Sequence, residues 1–153
     1  ISTGTVFAYL TSQDNVMNQI TVANTDIRIT EKFDPPAEWN PGTVIPKTVA
    51  VTSSSSADCY IRVMIRFSSQ EAENFCEPLK IQPGWTRGSD GYYYWTKKVK
   101  PQETTGNLFT QIRIRKDVAK EDLENFEVLV YAEAAACGED SMEEAWKKMN
   151  ASS

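Results

Sequence analysis

The sequence predicts an all-β protein, an antiparallel sandwich or barrel carrying two short helices, one of them at the C-terminus. Two observations carry that reading. Apolar and polar residues alternate over several short runs, and clusters of turn-forming residues separate those runs at close intervals. This spacing suits hairpins and sandwich strands and does not suit parallel βαβ units.

The clearest strand lies at residues 59–67, where Cys59, Ile61, Val63, Ile65 and Phe67 share one face and Tyr60, Arg62, Met64 and Arg66 the other. Residues 126–134 repeat the pattern with Phe126, Val128, Val130, Ala132 and Ala134 on one side. Ile112 and Ile114 alternate with Gln111, Arg113 and Arg115, and Ile27 and Ile29 with Asp26, Arg28 and Thr30. Weaker strand signals occur at 6–10, at Ile20 and Val22, at Val49 and Val51, and at Tyr92, Tyr93, Tyr94 and Trp95. A one-place slip near Asn24 and Thr25 predicts a bulge or bend. Turns are expected at Asp34-Pro35-Pro36, Asn40-Pro41-Gly42, Pro83-Gly84, Ser89-Asp90-Gly91 and Thr105-Gly106-Asn107.

Of the two helices, one is expected over 118–125, capped by Asp117. The C-terminal one carries a Ser141–Glu144 capping box, with Met142, Ala145, Trp146 and Met149 at helical spacing. Lys147 and Lys148 are expected in its last turn, where positive charge complements the helix dipole.

Composition narrows the function classes. A formal charge of -5 on 153 residues lacks the basic excess that phosphate binding needs, so no nucleic-acid partner is expected. No stretch approaches the roughly 20 apolar residues of a membrane span, so no membrane insertion is expected. Histidine is absent, which removes the commonest general base and zinc ligand. Neither a catalytic residue, a metal ligand set nor a cofactor is expected. A hydrolase would have to work with carboxylates alone, and their scatter identifies no pair. Cys59, Cys76 and Cys137 permit at most one disulfide, with structural burial the competing reading.

Two segments are candidates for interaction. Tyr92, Tyr94 and Trp95, followed by Lys97, Lys98 and Lys100, could offer rings to a glycan or protein ligand; the alternative is a strand with alternate rings buried. Val6, Phe7, Ala8, Tyr9 and Leu10 could pair within their own sheet or add to the sheet of a neighbouring subunit.

Several blocks together resemble the TasA/camelysin family of secreted bacterial biofilm-matrix proteins. They are the opening Gly4 to Asp14 with Ile20 to Ile27, Asn40-Pro41-Gly42-Thr43-Val44 with Lys47 and the strand at 49–52, and the strand at 57–63. Asp90-Gly91-Tyr92-Tyr93-Tyr94, Leu108-Phe109-Thr110, and Val130-Tyr131-Ala132-Glu133-Ala134 with Ser141-Met142-Glu143-Glu144-Ala145-Trp146 complete the series. The resemblance runs along nearly the whole chain in order. It implies a jelly-roll-like sandwich, export from Gram-positive bacteria through a special signal peptidase, and a place in the extracellular matrix or on the cell surface. It also implies polymerisation by strand donation, with the protein itself or related matrix subunits as partner.

Residues 1–12 are then read as an N-terminal strand, either a leader remnant or a donor strand, and 13–153 as one β-sandwich domain. The resemblance puts the processing cut near Ala8. Camelysin's classification as a metallopeptidase makes a metal-dependent peptidase the minor alternative, although the chain has no H-E-x-x-H helix. A monomeric surface-binding module is the main alternative to a fibre subunit.

Overall fold

Alternating strands of this kind leave one apolar face to bury, and here two sheets stack to bury it. The computed structural model describes residues 3–11, 17–21, 27–33, 38–123 and 127–152. Among them are nine strands: β1 (Thr3–Thr11), β2 (Met17–Thr21), β3 (Ile27–Phe33), β4 (Val44–Ser53), β5 (Cys59–Phe67), β6 (Trp85–Arg87), β7 (Tyr93–Trp95), β8 (Gln111–Arg113) and β9 (Glu127–Ala136). Six form one sheet in the order β2-β1-β9-β5-β7-β6, and three form the other in the order β3-β4-β8. Every named strand pair is antiparallel. The fold is an all-β sandwich with two short helices, one C-terminal.

The core lies where the alternation puts it. Ile61 and Val63 of β5 and Val128, Val130, Ala132 and Ala134 of β9 meet Ile27, Ile29, Val49 and Val51 of the smaller sheet. Each of these isoleucine and valine side chains, fully withdrawn from water, stabilises the fold by about 1.5–3 kcal/mol relative to exposure. Alternation fails in β4, which is buried on both faces from Ala50 to Ser53. The irregular segment 102–108 covers the free edge of β4. Thr105 N–H donates to Val51 O at 2.9 Å, and Leu108 N–H to Val49 O at 2.7 Å.

Helix placement departs from the sequence reading. Asp117 does not cap a helix over 118–125, because both of its carboxylate oxygens accept hydrogen bonds from Arg115 at 2.9 Å. A single 3-10 turn, Lys120–Leu123, follows and buries Leu123; residues 124–126 lie outside the described residues. The second α-helix is instead α1 (Gln70–Asn74), which starts where the Ser69 hydroxyl accepts from Ala72 N–H at 3.0 Å.

The C-terminal helix α2 (Met142–Ser152) has the expected capping box. Glu144 N–H donates to Ser141 Oγ at 3.2 Å, and Ser141 N–H donates to Glu144 Oε1 at 3.4 Å. It runs further than expected, so Lys147 and Lys148 are not in its last turn. Lys148 reaches back to Asp140 Oδ2 at 2.8 Å.

Cys59, Cys76 and Cys137 are all buried, and none of them forms a disulfide. Cys59 and Cys76 belong to the main core, and Cys137 to the cluster beneath α2, which favours the burial reading over a disulfide. The strand expected at Val22, the slip at Asn24 and Thr25, the turn at Asp34-Pro35-Pro36 and the residue Phe126 fall outside the described residues.

Candidate functional site

The five residues singled out for assembly occupy one place in the larger sheet. On one side Val6, Phe7, Ala8, Tyr9 and Leu10 are register partners of Ala132, Tyr131, Val130, Leu129 and Val128 of β9. On the other they face Thr21, Ile20, Gln19, Asn18 and Met17 of β2. Thr3, Gly4, Thr5 and Thr11 pair with β9 alone among the described strands. The strand therefore sits inside its own sheet, held on both edges by main-chain pairing.

The three aromatic candidates do not act as one platform, because successive residues of a strand point to opposite faces. Tyr92 and Tyr94 lie on the face that α2 covers. Trp95 lies on the core face, its ring 5.3 Å from that of Trp85. Two glycines enclose it: a Cβ added at Gly84 would come within 2.4 Å of Trp95 Cζ3, and one at Gly106 within 3.1 Å of Cη2. Trp85 is held in turn, its indole N–H donating to Gly106 O at 3.1 Å.

Tyr92 and Tyr94 are already engaged, by an arginine of their own chain. The Arg62 guanidinium carbon sits 4.2 Å from the Tyr92 ring centre and 4.4 Å from that of Trp146, sandwiched between the two. Its Nε donates to Glu133 Oε2 at 2.8 Å, its Nη1 to Tyr94 Oη at 3.3 Å, and its Nη2 to Asn150 Oδ1 at 3.3 Å. Tyr131 donates its hydroxyl proton to the other Glu133 oxygen, and Tyr94 donates its own to Asp90. Burial works against the guanidinium's charge, but the hydrogen bonds and charge of Glu133 and Tyr94 outweigh it and raise the Arg62 pKa. The Tyr92 pKa is raised by burial and by the Glu133 charge; that of Tyr94 is raised by burial and by its bond to Asp90.

Alternation alone puts Arg62 on the outer face of β5 and does not pair it with Glu133. The signal was ambiguous: each of the two best alternating runs carries two charged residues, Arg62 and Arg66 on one and Glu127 and Glu133 on the other. Only the β5–β9 register makes Arg62 and Glu133 opposite neighbours.

A third feature was not foreseen. A cleft of about 800 Å³ opens between the end of β5, the β6–β7 hairpin and the segment after α1. Ile65, Phe67, Leu79, Ile81, Trp85 and Tyr93 form its apolar lining, and Glu73, Glu77, Arg87 and Arg115 also border it. Among the described residues no group of acidic residues and cysteines could hold a metal ion, and no helix is long and apolar enough to cross a membrane. No protein-family model, no curated protein and no solved structure matches the chain.

Proposed function

We propose that the protein is a secreted structural subunit of a bacterial extracellular matrix or surface fibre, non-catalytic and free of cofactors, that assembles by exchanging β1 between subunits. The observation that carries this is the β1–β9 ladder, with nine register pairs from Thr3↔Ala135 to Thr11↔Glu127. Every one of those main-chain bonds can be remade with β9 of a neighbouring copy, so exchange costs little beyond the entropy of association. Face-to-face docking has less to work with, since Val44 is the one large hydrophobic residue left exposed among the described residues. The family resemblance adds the extracellular setting and the partner, which is the protein itself or a related matrix subunit.

A cross-link tests this directly. The alternation of main-chain bonds makes Tyr9↔Leu129 a pair without mutual hydrogen bonds, where Cα atoms lie about 4.5 Å apart and a disulfide can form. Tyr9→Cys/Leu129→Cys should stay monomeric when oxidised and form fibres visible by electron microscopy when reduced. Equal polymerisation in both states would remove strand exchange as the mode of assembly.

A further inference from the structure

The cleft lies beside a stretch of β5 whose main chain is open on one side. β5 pairs with β9 along its whole length, Cys59↔Ala136 to Phe67↔Val128. With β7 it pairs only at Arg62↔Tyr94 and Val63↔Tyr93. The direction of its polar groups is fixed at Cys59, whose N–H donates to Val99 O at 3.0 Å and whose carbonyl accepts from Val99 N–H at 2.8 Å. Within a strand, N–H and C=O of one residue point to the same side, and the side alternates from residue to residue. Cys59, Ile61, Val63 and Ile65 therefore turn their main-chain groups away from β9 and toward β7.

At Ile65 there is no β7 left to meet them. The preceding chain has folded on itself, Gly88 N–H donating to Tyr92 O at 2.7 Å and Gly91 N–H to Gly88 O at 3.1 Å. No described residue hydrogen-bonds Ile65 on that side. The Ile65 side chain lines the cleft at the same point. Of the two arginines on the lining, Arg115 is paired with Asp117. Arg87 rests 5.4 Å from the Tyr93 ring centre, with no carboxylate in ion-pair contact among the described residues.

We infer that the cleft binds an extended acidic peptide segment of a partner protein, which adds to β5 as a strand at Ile65 and sets a carboxylate against Arg87. A polypeptide in strand conformation supplies the N–H and C=O that Ile65 lacks, at the repeat β5 already has. An apolar side chain of the same segment would pack among Phe67, Leu79 and Trp85. The volume falls within the range of about 300–1,000 Å³ typical of ligand sites. This site is separate from the β1 slot, which lies on the far side of β9, so the two can succeed or fail independently.

The probe is a synthetic octapeptide of alternating valine and threonine with one glutamate, titrated into the isotope-labelled full chain and followed at the Ile65 amide by NMR. A saturable shift is expected. N-methylation of the peptide's central residue should weaken binding about tenfold or more, and so should Arg87→Glu, with recovery when the peptide's glutamate becomes lysine. Neither change touches the protein's core. No shift at millimolar peptide, or binding indifferent to N-methylation, would overturn strand addition. Equal binding of a peptide copying residues 3–11, which has no acidic residue, would overturn the pairing with Arg87 and the acidic partner with it.

Discussion

Arg62 and Glu133 are register partners on adjacent strands, and the guanidinium gives two of its donors, Nε and Nη2, to one carboxylate oxygen of Glu133. The side chains are only 8% and 10% exposed, so each charge depends on the other. Removing one partner of such a pair typically costs about 3–5 kcal/mol, because the other is left buried and uncompensated. Glu133→Ala should lower stability by that order, read as the urea midpoint. Arg62→Met/Glu133→Leu should recover much of the loss. A double variant as unstable as Glu133→Ala would show that the rings and α2 need the charge itself.

Trp146 ties α2 to the sheet by covering Arg62 and meeting Tyr94 edge-on at 5.6 Å. Trp146→Ala should cost about 3–5 kcal/mol, as large aromatic truncations do, and should expose the Arg62–Glu133 pair to water. Hydrogen exchange should then quicken in α2 ahead of β4, which makes no use of the helix. Uniform quickening throughout would mean that α2 is integral to the main core.

Gly84 has φ +95° and its α-carbon faces the Trp95 ring. A methyl group there meets both a disfavoured backbone conformation and a clash at 2.4 Å, so Gly84→Ala should destabilise by about 1–3 kcal/mol. Thermal melting checks this. Trp95→Leu in the same background should relieve the clash and leave only the backbone part.

Burial pushes the Cys76 thiol from 9.0 up to about 12. The folded state thus keeps its proton to higher pH than the unfolded state does. The resulting stability is complete below pH 9 and is lost as pH rises toward 12, at no more than about 1.4 kcal/mol per pH unit. Cys137, raised by burial as well, adds in the same direction. Urea midpoints at pH 8, 9 and 10 should fall for the native chain and fall less for Cys76→Ala. Identical slopes would show that Cys76 does not report on folding.

The sheet strands were the most legible part of the sequence because a half-buried strand writes its geometry into the chain every second residue. Cys59 to Phe67 is the clearest example, and the structure starts and stops β5 at those residues. The Ser141–Glu144 box was legible for a similar reason, since capping is local. What could not be read depends on contacts between distant segments. Arg62 looks like a solvent-facing arginine until Trp146 arrives to cover it. Asp117 is a local exception: it has the chemistry of a helix cap, but Arg115 competes for the same oxygens from two residues away. The cleft needed three separate segments to come together, and no single stretch announces it.

Among the described strands β1 comes first and β9 last, yet they lie side by side. The larger sheet therefore cannot close until β9 has been made and brought back to the start of the chain. Pairing between such distant segments is slow to form, because the loop entropy is lost before the ladder gives anything in return. Until then β9 can be held by β5 with its opposite edge vacant. If subunits exchange β1 as proposed, that interval is when the folding chain is most open to a β1 from another molecule, and the rate of sheet closure, set against protein concentration, would decide between monomer and polymer.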